Sequence, residues 1–240
     1  MGKEKAPRIQ TSLLNKVEKN ILIWLAEHMP EWVTSDMLTA LGFFAAVAYA
    51  VFCWLANYNV EYLWLSSFCL VLNWFGDALD GTLARVRKLQ RPKYGFFLDH
   101  SVDAITTCLF CIGLGLTPYM DMTIALFIMI GYLSLSLFTY LSTMVFTEFP
   151  LTYARLGPTE VRLILIAVSI LYIYYPFSSW HLNVLGLFLS AYDLMGIIAA
   201  ATLATLYLSS IIKGIRRLKN NQNIQESNED AESKTAKESI

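Results

Sequence analysis

Six long apolar runs, separated by short polar breaks, dominate the chain. They lie near residues 36–56, 61–84, 95–117, 120–146, 160–177 and 183–212. Most reach the roughly 20 residues that a helix needs to cross a bilayer. The runs at 120–146 and 183–212 are longer, which predicts tilt or extension beyond the hydrocarbon. A different pattern precedes them. Ile9, Leu13, Leu14, Val17, Ile21, Leu22, Trp24 and Leu25 recur at helical spacing, with Lys16, Glu18 and Lys19 between them. That periodicity predicts an amphipathic helix over 9–26 lying on the membrane surface, with a packing helix on the soluble side as the other reading. Pro30 ends it. Residues 220–240 are polar and of low complexity, which predicts a disordered tail. The expected organisation is a polar segment and interfacial helix (1–30), a six-helix transmembrane domain (31–215) and a polar tail (216–240). The fold class is an all-α membrane protein.

Composition agrees with that pattern. Of 240 residues, 56% are hydrophobic, and the mean hydropathy is +0.48. An ordinary soluble domain is excluded. The net charge of −1 supplies no field for nucleic acid. Cys53, Cys69, Cys108 and Cys111 all sit inside apolar runs and read as buried thiols. No cleavable signal peptide is expected, because the first apolar stretch comes late and is broken by Glu27 and His28.

The basic residues predict orientation. None lies between Lys19 and Arg85, between Lys93 and Arg155, or between Arg162 and Lys213. The connections around Asn57, Tyr119 and Ser178 carry no Lys or Arg. By the positive-inside rule the number of spans is even and both termini are cytoplasmic. Trp54, Trp64 and Trp180 read as interface anchors on the uncharged side.

Candidate chemistry lies in residues 77–103. Asp77, Asp80, Gly81 and Ala84 are related by steps of three and four, so they share one helix face. Gly95, Asp99 and Asp103 do the same on the next helix. If the two helices pack side by side, four carboxylates converge at the cytoplasmic end. Four uncompensated charges cannot stay in a poorly hydrated site. Divalent cations would neutralise them, and all-oxygen ligands favour Mg²⁺ or Mn²⁺. Gly81 and Gly95 weaken helices by roughly 1 kcal/mol each, so they need a reason such as close approach of a helix or a ligand. Arg85, Arg87, Lys88, Arg91 and Lys93 surround the mouth, either as positive-inside bias or as holders of phosphates. These parts suit phosphoryl transfer. Two metals would neutralise a pyrophosphate and stabilise its leaving group, and one carboxylate would deprotonate an acceptor hydroxyl. His100 points about 100° away from Asp99 around the helix, as a neighbour or packing residue rather than a ligand. Thr159 and Glu160 follow Gly157-Pro158 as a helix start or as part of an acceptor or phosphate site, with Arg155 and Arg162 the charges nearby.

The stretch from Asp77-Ala-Leu-Asp80-Gly81-Thr-Leu-Ala84-Arg85, through nine residues, to Gly95-Phe-Phe-Leu-Asp99-His-Ser-Val-Asp103 resembles the signature of the CDP-alcohol phosphatidyltransferase family. That signature is D-x-x-D-G-x-x-A-R, a short spacer, then G-x-x-x-D-x-x-x-D, and every fixed position is filled. The resemblance implies cleavage of a CDP-linked donor, release of CMP, and transfer of the remaining phosphoryl-bearing group to a hydroxyl. It implies two metals held by Asp77, Asp80 and Asp99, with Asp103 contacting metal and serving as the catalytic base. Asp80, Gly81, Ala84 and Arg85 would meet the nucleotide. Trp32 to Thr39 resembles the family's entrance to the first membrane helix, with Ser35-Asp36 where Pro-Asn usually stands, so Thr39 joins the nucleotide group. The acceptor or phosphate group comprises Arg91, Lys93, Arg155, Thr159, Glu160 and Arg162. A homodimer is also implied.

Two substrate schemes follow from the resemblance. In the first, CDP-diacylglycerol gives phosphatidyl to an inositol-, glycerol- or serine-type alcohol, which the short six-helix length favours. In the second, CDP-choline or CDP-ethanolamine gives its head group to diacylglycerol, which Asp99-His100 with Asp103 resembles. A divalent-cation transporter is the reading from another class. Either enzyme would be integral to the membrane, with its site facing the cytoplasm (the inner membrane in a bacterium).

Overall fold

The computed structural model of the chain describes residues 13–145, 158–175, 182–184 and 187–238. Helices account for nearly all of them: α1 Leu13–His28, α2 Ser35–Leu55, α3 Tyr62–Val86, α4 Pro92–Leu116, α5 Met122–Val145, α6 Pro158–Tyr174 and α7 Ala191–Glu238. Each of the six apolar runs carries one of α2 to α7. Four helices are long and apolar enough to cross a membrane: α2, α4, α5 and the Ala191–Asn220 part of α7. In α3, Asn73, Asp77, Asp80 and Arg85 interrupt the apolar character, and α6 has 17 residues.

Two differences from expectation stand out. Short strands β1 (Leu182–Val184) and β2 (Leu187–Leu189) pair antiparallel, with Leu182 opposite Leu189. The last apolar run therefore starts as a hairpin, and its helix begins only at Ala191. At the other end, α7 stays helical through the polar stretch as far as Glu238, where composition predicts a disordered tail. A helix already nucleated gains one hydrogen bond per added residue, and the Ala, Glu, Gln and Lys in this stretch are good helix formers.

Local chemistry sets the helix ends that matter. The Thr34 hydroxyl accepts from the Met37 N–H at 3.2 Å and caps α2. Pro92 opens α4 at a position where its missing N–H costs nothing. Between α3 and α4 the chain reverses through Lys88, which adopts a left-handed φ of 57°. Beside it, Arg87 donates to the backbone carbonyls of Met29, Pro30, Glu31 and Val33. One guanidinium thus holds the connection that follows α1 against the end of α3. Leu22 and Ala26 bury one side of α1 against Val33, Leu38, Leu79 and Leu83, while Ile21 and Trp24 stay exposed.

The α2–α3 crossing is the closest in the fold that bears on the site. A Cβ on Gly76 would lie 2.5 Å from the Leu38 carbonyl oxygen and 2.7 Å from the Gly42 nitrogen. Backbone meets backbone there, which only glycine permits. The Asn73 amide donates to the Gly42 carbonyl at 2.8 Å and locks the pair in register.

The far end of the bundle closes differently. Ser190 and Asp193 form a reciprocal cap on α7: the Ser190 hydroxyl accepts from the Asp193 N–H at 3.0 Å, and the Asp193 carboxylate accepts from the Ser190 N–H at 2.9 Å. The same carboxylate accepts from the Asp121 N–H at 2.8 Å, tying α7 to the start of α5. Tyr119, Tyr172 and Tyr192 pack together beside it.

Candidate active site

The α2–α3 crossing brings Thr39 beside Asp80, and α4 packs along α2 on the next side. The Thr39 hydroxyl donates to Asp80 Oδ2 at 2.6 Å, and the Gly81 N–H donates to Asp80 Oδ1. The Ser35 hydroxyl donates to the Asp80 carbonyl at 2.9 Å. One turn earlier on α3, Asp77 is paired with Arg162 of α6, Nη2 to Oδ2 at 2.7 Å. On α4, Asp99, His100 and Asp103 each bring a ligand atom within 4.8 Å of the others. His100 Nδ1 lies 3.3 Å from Asp99 Oδ2. Its ring sits between Phe96 and Tyr140, with centroids 4.1 and 4.9 Å away.

All four aspartates line one narrow cleft of about 10 Å³, together with Thr39, Asn73 and Thr106. The convergence expected from helical spacing is therefore present. A pocket of about 250 Å³ shares Thr39, Asp77, Asp80 and Asp99 with the cleft. It adds Gly81, Ala84, Arg85, Gly95 and Arg91, and about half of its lining is polar. A larger cavity of about 530 Å³ shares Asp103 and Thr106 with the cleft. Its walls are mostly apolar and come from α4, α5 and α6, with Arg162, Tyr132 and Tyr140 near the acidic end. The cleft thus joins a polar pocket to a greasy groove, and Asp103 lies on the groove side.

The basic residues separate by role. Arg85 donates to the Thr82 hydroxyl at 2.9 Å and lines the polar pocket. Arg91 pairs with Asp36 at 2.5 Å and lies over the Tyr94 ring, 4.3 Å from its centroid. The hydrogen bond that Arg91 donates to Asp36 pushes the Arg91 pKa up, further into the charged state. Lys93 is exposed and lines none of these cavities. Thr159 donates to Glu18 at 3.2 Å instead of facing the cavities, and Glu160 is half-buried beside it. Arg155 lies outside the described residues.

Sequence reasoning missed Asn73, which accepts from Arg162 Nε at 2.7 Å. Its signal is a polar residue one turn before Asp77 on the same face of an apolar helix. Glu18 was also missed. It accepts from the Trp74 indole at 2.8 Å as well as from Thr159, and so ties α1 to α3 and α6.

The residues present fit divalent cations. The four carboxylates offer hard oxygen donors, and Arg162 is the one buried Lys or Arg among the described residues. The net charge left over is negative, and a site of this kind calls for cations that take oxygen ligands.

The chain matches the family model for CDP-alcohol phosphatidyltransferase over residues 32–209. It is similar to cholinephosphotransferase 1 of Danio rerio, 26% identical over 199 residues that cover 76% of this chain and 50% of that protein. The chain therefore spans about half the length of this curated relative.

Proposed function

The chain belongs to the CDP-alcohol phosphatidyltransferase family, and from that premise we propose that it transfers a CDP-linked head group, choline or ethanolamine phosphate, to the hydroxyl of diacylglycerol. It is a transferase of substituted phosphate groups, which sets aside the cation-transporter reading. The order of the two substrate schemes is reversed from the sequence expectation. Similarity to a cholinephosphotransferase favours the second scheme. The observation that carries it is the side on which Asp103 opens. Asp103 lines the apolar groove and the acidic cleft, not the polar pocket. A base facing apolar walls suits a hydroxyl carried by a lipid better than a free polyol.

Asp77, Asp80, Asp99 and Asp103 would hold two Mg²⁺ or Mn²⁺ ions, which when bound supply charge neutralisation of the diphosphate and of departing CMP. The donor lies in the polar pocket, along Thr39, Gly81, Ala84 and Arg85. Arg91 and Arg162 are the phosphate contacts from the basic set, while Thr159 bonds Glu18 and Lys93 lines none of the cavities. Asp103 takes the proton from the diacylglycerol hydroxyl. The freed oxygen attacks the phosphorus that bears the head group. The P–O bond to CMP breaks, CMP leaves with the electron pair, and a phosphodiester remains on the lipid. The groove holds the acyl chains and keeps water from the nucleophile.

Six helices, α2 to α7, span the bilayer in this reading. The exposed Ile21 and Trp24 side of α1 rests on the membrane surface, the termini and the acidic cleft face the cytoplasm, and two chains form a homodimer. The positive-inside pattern supports the orientation.

The test uses the purified chain in detergent–lipid micelles with Mg²⁺. CDP-choline or CDP-ethanolamine with diacylglycerol is expected to yield CMP and the matching phospholipid by mass. CMP only from CDP-diacylglycerol with a pool of inositol, glycerol and serine derivatives would reverse the direction of transfer. CMP from neither mixture would refute both schemes.

A further inference from the structure

Arg162 is a charged residue placed where the proposed metal chemistry does not require one. It is 5% exposed, on α6, and faces the acidic cleft. Its guanidinium holds two partners at once, Asn73 Oδ1 through Nε and Asp77 Oδ2 through Nη2, both at 2.7 Å. Asn73 is itself fixed by its bond to the Gly42 carbonyl. Only a planar fork satisfies both partners together, and a lysine ammonium would not. Arg162 also lines the apolar groove with Asp103.

Asp77 therefore has two suitors. Paired to a guanidinium, it offers a cation less charge and fewer free lone pairs. A divalent ion on the same carboxylate would meet the guanidinium as a like charge. Yet without any cation four carboxylates would crowd one partly buried cleft, with Asp80 buried and the other three half-buried, and like charges so placed repel. One residue resolves both demands if it is exchangeable.

We propose that Arg162 is the resident counter-cation of the acidic cleft, that it gives up Asp77 when a divalent cation binds, and that it stays tethered by Asn73 to face an anionic phosphate at the groove mouth. The asymmetry of its partners supports this. Asn73 is a neutral acceptor for which a cation has no charge to compete, whereas the Asp77 bond is the one a cation would replace. The inference rests on reading the cleft as a metal site.

The test is a double-mutant cycle read by Mn²⁺ affinity, from the electron paramagnetic resonance of free Mn²⁺, on the full chain in lipid nanodiscs without nucleotide. Removing the competitor in Arg162→Gln should tighten Mn²⁺ binding about tenfold, and the gain should vanish in the Asp77→Asn background. Equal tightening in both backgrounds would mean that Arg162 acts only through its field, and would overturn the exchange. Unchanged or weaker Mn²⁺ binding in Arg162→Gln would overturn it too, since guanidinium and metal would then share Asp77. Arg162→Lys keeps the charge while losing the fork. It should show the same dependence on Asp77 with a smaller gain, and it serves if the glutamine variant does not fold. No Mn²⁺ binding to the wild-type chain would end the exchange and the metal reading together. Absence of CMP with normal Mn²⁺ binding would end only the substrate assignment.

Discussion

The two ends of the bundle each bury carboxylate, and they solve the problem in opposite ways. At the far end Asp193, 7% exposed, accepts from the Asp121 N–H, the Ser190 N–H and the Ser190 hydroxyl, at 2.8, 2.9 and 2.8 Å. Its charge is spread over neutral donors that close a helix end and a loop. At the near end four carboxylates share one cleft, and the buried Arg162 pairs with Asp77. An aspartate within an apolar run is therefore not by itself a mark of chemistry. What separates the two ends is the kind of partner: neutral hydrogen-bond donors around Asp193, against four carboxylates gathered beside one buried guanidinium among the described residues.

The sharpest way to break this comparison is to remove one charge from the near end. Asp103→Asn should lower CMP release by about 10²–10⁴-fold, the range for losing a general base. CDP-choline binding should change little, because Asp103 does not line the polar pocket. Turnover and equilibrium binding of the donor check this together. A parallel loss of both would remove Asp103 from its role as base. Chelation of divalent cations should abolish turnover just as completely, with recovery on adding Mg²⁺ or Mn²⁺.

The contrast also explains what was legible in the sequence. Helical spacing alone places Asp77 and Asp80 on one face and Asp99 and Asp103 on another, and the apolar runs locate α2 to α6 to within a few residues, though not the two ends of α7. Period and length are local properties, so they can be read along the chain. The partners of those carboxylates are not local. Arg162 is 85 positions from Asp77, and Asp193 is 72 positions from the Asp121 N–H it accepts. No periodicity encodes such pairs, and the role of Asp193 was unreadable for that reason. The reciprocal cap between Ser190 and Asp193 was open to discovery, since S-x-x-D precedes an apolar helix. The apolar run that starts at 183 masks it, because that run includes the hairpin ahead of the helix.

Glycines sharpen the comparison at the next level of effect. Gly76 is glycine because a helix lies against it, and Gly76→Ala would push the α2 and α3 backbones apart. Overpacking of this kind costs about 1–3 kcal/mol, so the unfolding midpoint and activity should fall together. Gly95 is different: a Cβ there meets nothing within 4 Å. Gly95→Ala should stabilise α4 by roughly 1 kcal/mol on helix propensity. Gly95 nevertheless lines the polar pocket, so the same variant should raise the KM for the CDP donor several-fold, with the unfolding midpoint unchanged or higher. A Gly95→Ala enzyme with an unchanged donor KM would mean that no ligand approaches that face.

The smallest effect on catalysis belongs to the far end, and it tests whether the two ends are independent. Asp193→Ala leaves the Asp121 and Ser190 N–H groups without their acceptor. Loss of a helix cap of this kind costs about 0.5–2 kcal/mol, and an unpaired buried donor adds to it. The unfolding midpoint in micelles should drop by a few degrees. Asp193→Asn keeps one carbonyl oxygen and should fall between alanine and wild type. Below the unfolding transition, kcat, donor KM and Mn²⁺ affinity of both variants should match wild type, because the contacts of Asp193 go to the start of α5 and the cap of α7, not to any residue of the cleft. A drop in Mn²⁺ affinity in folded Asp193→Ala protein would show the ends to be coupled. The path would then run through α5, whose Tyr132 and Tyr140 line the groove beside Asp103.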